Sequence, residues 1–324
     1  MDERIFERLT EFKELGTELL EHIPARDLAA ILFPPALAYE VLGGLMSGAR
    51  PEGGDFELDL PEKEVTRAAV NLARWFSRRY FKTKIEGAKR MPAKGPVLMV
   101  GNHSAGLMPM DALFAIDALQ RIHGADRIVH PLVHDIAYAA PSVARHARRL
   151  GILRASHDNA RAAFEAGRAV LVYPGGDQEA FRPFTERHQI VLAGRKGFVK
   201  LALQAGVPIV PLVSVGLHES FIVLSRGDRV AEKLGLKKLL RTDVMPIGLG
   251  LPWGLFPAFF PFLPAPTHVD MRFLDPIELD GDPEDDAALA EGYDRVESAM
   301  QEAMDDLSRD RVPWLGRPEA EDQT

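Results

Sequence analysis

The sequence contains no cysteine, which excludes disulfide bonds, thiolate metal sites, iron–sulfur clusters and a cysteine nucleophile. This absence fits a reducing compartment. The chain also lacks a Gly-x-Ser-x-Gly pattern, the strand-to-helix turn that carries the nucleophilic serine of many hydrolases. Residues 1–21 lack a basic start followed by an apolar run, so they predict no secretory signal.

Acidic residues outnumber basic ones by 47 to 39, which gives a formal net charge of −8. The acidic excess is concentrated near the end of the chain. Residues 275–324 carry a net charge of −13, whereas residues 1–274 carry +5. A mildly basic body suits anionic ligands or a membrane surface. Nucleic-acid binding requires a denser basic surface, so we expect no nucleic-acid partner.

No apolar run is regular enough to predict a membrane-spanning helix. Residues 244–267 form a stretch of 24 without Asp, Glu, Lys, Arg or His, but six prolines interrupt it. Each proline costs a regular helix about 3 kcal/mol. We interpret this stretch as a looped hydrophobic patch that covers an acyl-chain tunnel, dips into lipid or is simply buried. Its large side chains are Trp253, Leu255, Phe256, Phe259, Phe260 and Phe262.

Two other segments are candidates for membrane contact. Residues 1–21 have apolar side chains at helical spacing, so they predict an amphipathic helix that packs on the body or lies on a bilayer. Residues 66–84 carry six basic side chains and no acid, interleaved with aromatic rings. This composition suits either an anionic membrane interface or a solvated helix face. We expect peripheral attachment to the cytoplasmic face of a membrane.

Short apolar runs alternate with amphipathic stretches through the middle of the chain, a pattern typical of βαβ units. We predict an α/β fold with a mixed, mostly parallel sheet flanked by helices, an N-terminal helical segment and an acidic C-terminal helix. The predicted domains are 1–84, 85–280 and 281–324. The predicted strands are 96–101, 128–133, 169–173, 207–215 and 269–274, and the helices after residue 84 are 111–123, 141–149, 158–166, 196–205 and 286–310.

A histidine follows the first of these strands. His103 lies in the loop after the strand, and Asp111 stands at the start of the next helix. An exposed histidine beside a carboxylate that fixes its tautomer and raises its basicity can act as a general base. The alternative is structural, with Asp111 serving only as a helix cap.

A Pro-Gly-Gly turn follows the most apolar predicted strand, at residues 174–176. It is either a ligand site formed by backbone N–H groups at the carboxyl end of a strand or an ordinary tight turn. Four basic residues follow it, and they are either phosphate ligands or scattered surface charge. They are Arg182, Arg187, Arg195 and Lys196.

In this order and spacing, four segments within residues 90–275 resemble the glycerolipid acyltransferase superfamily, which includes the 1-acyl-glycerol-3-phosphate acyltransferases. The four segments are Asn102-His103, Gly151-Ile152-Leu153-Arg154, Tyr173-Pro174-Gly175-Gly176 and Val207-Pro208-Ile209-Val210-Pro211.

The chain departs from the usual superfamily pattern at three points. Asp111 lies eight positions after His103 rather than five, so the loop must bulge to bring them together. Gly175 stands where the family has a glutamate, and Gln178 stands where the family has an arginine to which the resemblance assigns phosphate binding. Residues 175–180 and 195–198 look like the diacylglycerol acyltransferase branch, and this likeness favours a less charged acceptor.

The resemblance implies an enzyme of lipid metabolism that acts in a pathway such as phospholipid biosynthesis. It would transfer a fatty acyl group from acyl-CoA or acyl carrier protein to a hydroxyl of a glycerolipid or lysophospholipid. His103 would be the base and Asp111 its partner. The N–H groups of Gly175 and Gly176 would bind the oxyanion, and Glu179 would support the site or bind the acceptor.

No metal, covalent intermediate or redox cofactor is required for this chemistry. Membrane lipids and the acyl donor are the expected partners, and the sequence indicates no oligomeric state. Two alternatives remain open at this point: a lipid-binding protein that has lost catalysis, and a lipid hydrolase or transesterase.

Overall fold

The computed structural model describes residues 3–32, 40, 43, 58, 60–104, 106, 110–134, 138, 140–236, 242–250, 254–257 and 264–318. The α-helices are α1 (Glu3–His22), α2 (Ala25–Leu32), α3 (Lys63–Trp75), α4 (Met110–His123), α5 (Pro141–Arg149), α6 (His157–Glu165), α7 (Gly176–Ala180), α8 (Gly197–Ala205), α9 (Asp228–Lys233) and α10 (Asp286–Ser308). The strands are β1 (Lys84–Glu86), β2 (Val97–Gly101), β3 (Val129–Val133), β4 (Leu153–Arg154), β5 (Ala169–Val172), β6 (Ile209–Val215), β7 (Ile222–Ser225), β8 (Ile247–Gly250), β9 (Gly254–Pro257) and β10 (Asp270–Phe273).

The main sheet has seven strands in the order β1-β10-β6-β2-β5-β3-β4. Strand β2 pairs in parallel with β6, and β3 pairs in parallel with both β4 and β5. Strand β10 is antiparallel to β6 and parallel to β1. The predicted mixed, mostly parallel sheet is therefore confirmed. Strands β2 and β6 are buried along their whole length, which explains why they are almost continuously apolar.

A second sheet corrects the interpretation of residues 244–267 as a loop. Strands β7, β8 and β9 form a three-stranded antiparallel sheet, and β8 and β9 lie inside that segment. Paired residues Gly248 and Phe256 are buried, whereas the neighbouring pair Leu249 and Leu255 is exposed. Phe256 belongs to a buried apolar cluster, so it is not part of a surface patch. Other predicted patch residues lie outside the described part of the chain, namely Trp253, Phe259, Phe260 and Phe262.

The chain divides into two compact units. The first comprises residues 1–79, 93–97 and 112–172, and within it α1 packs on α3, α2 on α5 and α6 on β5. The second comprises residues 80–92, 98–111 and 173–324, and within it α10 packs on both β6 and α8.

The basic segment 66–84 begins as α3 and continues as a π-helical turn over Phe76–Tyr80. Several of its cations are paired within the first unit. Arg74 donates a hydrogen bond of 2.7 Å to the buried Asp117, and Arg79 lies 3.5 Å from Glu11 of α1. These two arginines therefore pair with carboxylates of neighbouring helices and stabilise the packing of the helices.

Helix α1 is amphipathic, as predicted, but it does not bury its whole apolar stripe. Phe12 packs against the rings of Trp75 and Phe76, with centroids 4.8 and 5.8 Å apart. Ile5 and Leu9 are 51% and 56% exposed. In the described ranges, no helix is both long enough and apolar enough to cross a bilayer.

Two glycine-to-alanine changes test the helix assignments. Gly206 ends α8 with φ +61°, whereas Gly16 lies inside α1, and an added Cβ has open space at both sites. We expect Gly206→Ala to lower the free energy of unfolding by about 1 kcal/mol, because alanine disfavours positive φ. Gly16→Ala should raise it by about 0.5–1 kcal/mol, because alanine is the better helix former. Urea denaturation measures both, and a shift of the same sign in both variants would contradict the assignments.

Candidate active site

A buried asparagine fixes the direction in which the chain leaves β2. The side-chain oxygen of Asn102 accepts a 2.7 Å hydrogen bond from the N–H of Ser214 in β6. Its amide nitrogen donates to the Ser214 carbonyl and to the Ser104 hydroxyl, both at 2.9 Å. The residue between Asn102 and Ser104 is therefore held at the carboxyl edge of two parallel strands, where open α/β sheets bind ligands.

That residue is His103, and the structure brings it together with Asp111. His103 Nδ1 lies 3.2 Å from Asp111 Oδ2, and the same oxygen accepts a 3.1 Å hydrogen bond from the N–H of Ser104. The Asp111 side chain is 1% exposed and that of His103 is 19% exposed. Because a carboxylate only accepts hydrogen bonds, we assign the hydrogen to Nδ1, which leaves a lone pair on Nε2.

The electrostatic surroundings make this imidazole more basic. Burial lowers the pKa of His103, but the negative charge and hydrogen bond of Asp111, together with the charge of Glu179, outweigh burial and raise it above its ordinary value. A raised pKa in a partly exposed imidazole is typical of a general base.

An aromatic ring limits the movement of this imidazole. Tyr173, the residue after β5, stacks on His103 with ring centroids 5.0 Å apart and planes 29° apart. Gly101 leaves room for the ring, since a Cβ at this position would lie 2.6 Å from Tyr173 Cε1. The sequence motif at residues 173–176 includes Tyr173 but does not predict this contact. Its position directly after a buried strand was the available signal.

Glu179 supports His103 from the backbone side. Its carboxylate is buried and accepts hydrogen bonds from the N–H of His103 at 2.9 Å and of Val191 at 3.2 Å. Burial raises the pKa of Glu179 to about 7, although the charge of Arg182 and the two backbone hydrogen bonds oppose the rise. Gly175 provides the necessary space, because a Cβ there would lie 2.7 Å from Glu179 Oε2 and collide with the Val191 carbonyl.

The Pro-Gly-Gly turn uses one of its two predicted oxyanion donors internally. The N–H of Gly176 donates a 3.0 Å hydrogen bond to the carbonyl of Tyr173. In this conformation, the N–H of Gly175 is the remaining candidate from the turn for an oxyanion donor.

The basic residues that we predicted as phosphate ligands lie in different environments. Arg182 is fully buried and donates to the carbonyls of His103 and Arg187, both at 3.0 Å, so the protein interior uses this guanidinium. Arg187 lies over the ring of Phe184, 4.4 Å from its centroid. These contacts favour structural roles for both arginines.

The other two basic candidates are nearer the surface. Arg195 donates to the carbonyl of Pro174 at 3.0 Å and to the carboxylate of Asp177 at 3.1 Å. Burial raises the pKa of Asp177, but hydrogen bonds from Thr242 and Arg195 lower it more. Lys196 is half-buried at the N-cap position of α8.

Sequence reasoning did not identify His218, which lies in a 3₁₀ turn after β6. This ring is buried, with Nδ1 3.1 Å from the carbonyl of Ser104 and Nε2 2.7 Å from the carbonyl of Arg182. Burial, together with the charge of Arg182, lowers the pKa of His218 to about 3, so the ring is neutral at physiological pH. A histidine close behind a buried strand was the available signal in the sequence.

The parallel sheet, with a histidine–carboxylate pair after β2, agrees with the predicted resemblance to the glycerolipid acyltransferases. One family model within this superfamily matches most of the chain. The chain belongs to the diacylglycerol acyltransferase family, whose model matches residues 57–306.

Individual relatives are more distant. An uncharacterised protein of Mycobacterium tuberculosis is 29% identical over 237 residues, which cover 72% of this chain and 63% of the relative. The chain thus spans less than two thirds of the length of the mycobacterial relatives it matches. A chicken protein named DGAT1/2-independent enzyme synthesizing storage lipids is 26% identical over 202 residues, or 62% of this chain and 57% of that protein.

Two further matches come from a fungus and a bacterium. Diacylglycerol O-acyltransferase 1 of Eremothecium gossypii is 27% identical over 199 residues, which cover 60% of this chain and 43% of that enzyme. The crystal structure of the 1-acyl-sn-glycerophosphate acyltransferase PlsC of Thermotoga maritima aligns with a TM-score of 0.49 and 16% identity. That alignment covers 94% of this chain and 99% of the other.

The protonation of Glu179 predicts a pH-dependent stability. The folded protein binds a proton at Glu179 that the unfolded chain, with a pKa of 4.5, has already released, so the free energy of unfolding falls between pH 4.5 and about 7. Glu179→Gln removes this contribution, and its unfolding free energy should decline less over that interval. Urea denaturation at a series of pH values measures the difference. Parallel pH dependences in the variant and the parent would contradict the prediction.

Proposed function

We propose that the protein transfers a fatty acyl group from an acyl-CoA or acyl carrier protein thioester to a hydroxyl of a glycerolipid. The observation that carries this proposal is the contact of His103 Nδ1 with the buried Asp111, which leaves Nε2 as a free base at the carboxyl edge of the sheet. Membership of the diacylglycerol acyltransferase family supports the same reaction.

The proposed reaction has two steps. His103 Nε2 takes the proton of the acceptor hydroxyl while that oxygen attacks the thioester carbonyl, and the Asp111 carboxylate stabilises the imidazolium. A backbone N–H of the Pro-Gly-Gly turn, with Gly175 the candidate, binds the oxyanion of the tetrahedral intermediate. The intermediate then expels the thiolate, which recovers the proton from His103, so the ester and the free thiol are the products.

We favour an uncharged acceptor such as diacylglycerol over a lysophosphatidate. Gln178 stands where the superfamily has a basic residue, and the nearby Arg182 is occupied by backbone carbonyls. A phosphate headgroup requires exposed cationic donors, and neither residue supplies one. The names of the chicken and fungal relatives, which refer to storage lipids and to diacylglycerol, favour the same acceptor.

We further propose peripheral attachment to the cytoplasmic face of a membrane. The exposed Leu249 and Leu255 of the three-stranded sheet, and the exposed Ile5 and Leu9 of α1, support it. Apolar side chains of this kind gain free energy when a bilayer interface removes them from water.

An acyl-transfer assay with a panel of acceptors tests the reaction. Purified protein would be incubated with radiolabelled long-chain acyl-CoA, or acyl carrier protein, and with diacylglycerol, monoacylglycerol, lysophosphatidate or another lysophospholipid. We expect a labelled neutral lipid, and His103→Ala should lower its rate of formation by about 10²–10⁴-fold, the usual contribution of a general base. His157→Ala, at an exposed position of α6, is the matched control and should retain the parent rate.

Other results of this assay would identify the alternatives. Equal turnover by the parent and His103→Ala would contradict the base assignment. Release of free fatty acid without an acylated acceptor would indicate a hydrolase. Binding of lipid by the folded protein without any product from either donor would indicate a lipid-binding protein.

A liposome experiment tests the membrane proposal. The double variant Leu249→Ser and Leu255→Ser should reduce partitioning onto phosphatidylserine-containing vesicles by about tenfold or more, because burial of each leucine contributes about 1.5–3 kcal/mol. Leu60→Ser is the matched control, since Leu60 is 62% exposed but lies outside this sheet. Co-sedimentation measures the bound fraction, and unchanged binding by the double variant would exclude this sheet as the contact. Phe256 is unsuitable for the test because it is buried.

A further inference from the structure

We propose that residues 311–314, here called the C-terminal clasp, position the loop that carries His103. The clasp acts through Glu219 and its neighbour His218. This inference rests on the proposed function, because it concerns how the proposed general base, His103, is positioned.

A buried ion pair joins the clasp to the turn after β6. The Arg311 side chain is 0% exposed and that of Glu219 is 1% exposed. Arg311 Nε and a terminal nitrogen donate to the two Glu219 oxygens at 2.9 and 3.1 Å, and the other terminal nitrogen donates to Asp270 at 2.8 Å. Desolvating such a pair costs about as much as its attraction returns, so net stability alone does not account for it. Two parallel hydrogen bonds do fix geometry.

The tryptophan of the clasp reinforces the same contact. The backbone N–H of Trp314 donates to the Glu219 carboxylate, and its indole N–H donates to the Glu219 carbonyl, both at 2.7 Å. Trp314 has φ +65°, which is uncommon for a residue with a side chain and costs backbone free energy. The clasp therefore forms hydrogen bonds with both the side chain and the backbone of Glu219.

The turn itself is shaped to receive the guanidinium. Gly216 begins the turn with φ +106°, and a Cβ at this position would collide with the Arg311 guanidinium and the His268 carbonyl. Any other residue at position 216 would displace Arg311. A glycine at position 216 is therefore required for Arg311 to occupy its place beside the turn.

His218 transmits this arrangement to the His103 loop. Its two ring nitrogens lie 3.1 and 2.7 Å from the carbonyls of Ser104 and Arg182. Because the neutral ring has one N–H, we assign the hydrogen bond to the shorter contact, from Nε2 to the Arg182 carbonyl, and the Ser104 carbonyl is in contact only. Ser104 donates its N–H to the same Asp111 oxygen that contacts His103 Nδ1, and Arg182 donates to the His103 carbonyl. Of the two residues that His218 contacts, Arg182 therefore binds His103 directly, and Ser104 binds the Asp111 oxygen that His103 also contacts. The charged groups that shift the pKa of His103 are Asp111, Glu179 and Arg182.

The test uses the protein of residues 1–324 and measures the titration of the His103 imidazole itself. Nuclear magnetic resonance would follow the titration of His103 in the parent and in variants of the relay, beside kcat and KM for acyl transfer. His218→Phe and Arg311→Met should lower the titration midpoint by about half a pH unit or more, because a looser Ser104 weakens the Asp111 contact. Both should lower kcat by about tenfold or more and leave KM for the acyl donor unchanged.

Two further variants keep the test decisive. Arg309→Met is the matched control, because Arg309 lies two residues before Arg311 but is 70% exposed, and it should match the parent. Trp314→Phe is milder, since it keeps a ring beside Phe184 and loses only the indole N–H, so it decides the question where Arg311→Met fails to fold. We expect it to shift the titration midpoint in the same direction by a smaller amount.

A parent-like midpoint and kcat in folded His218→Phe and Trp314→Phe would overturn the proposal. Reduced stability with an unshifted titration would also overturn it, because it would mean that the clasp serves folding alone. The titration is independent of turnover. Failure of acyl transfer in the parent would therefore count against the proposed function and leave the positioning relay to be judged by the midpoint.

Discussion

The site depends on one oxygen atom, Oδ2 of Asp111, which is shared by the imidazole of His103 and the backbone N–H of Ser104. Removing a carboxylate from water is costly unless hydrogen bonds and opposite charge compensate for it. The loop after β2 provides that compensation, so its shape and the tautomer of His103 are determined together. If Asp111 contacted neither His103 nor Ser104, the backbone conformation at Ser104 and the tautomer of His103 would be independent of each other.

The same histidine is held through both of its peptide groups. Its N–H is bound by Glu179 and its carbonyl by Arg182, and both side chains come from the short segment after the Pro-Gly-Gly turn. Two buried side chains therefore fix the backbone on both sides of the imidazole. In the proposed reaction, such preorganisation would lower the cost of reaching the transition state, because the donors and the base would need no rearrangement. It also explains why a buried arginine follows the turn so closely.

Periodicity predicted much of this arrangement. The five strands of the main sheet that we predicted all form. The strand–loop–helix order predicted a His103–Asp111 pair only as an alternative to a helix-capping Asp111, and the structure shows the contact. Spacing could not reveal that Arg182 is buried, because a charged residue is normally exposed and the partners here are backbone carbonyls. It could not reveal His218 either, since that contact joins residues 114 positions apart. The strands β8 and β9 were missed because the prolines around them favour a loop.

The most direct measurement is the tautomer of His103, read from the ¹⁵N chemical shifts of its two ring nitrogens at a pH above its pKa. A base that is held by Asp111 carries its hydrogen on Nδ1 and leaves Nε2 unprotonated, and Asp111→Asn should abolish this preference. A hydrogen on Nε2 in the parent protein would contradict the account, because no lone pair would then be available to take the proton of the acceptor hydroxyl.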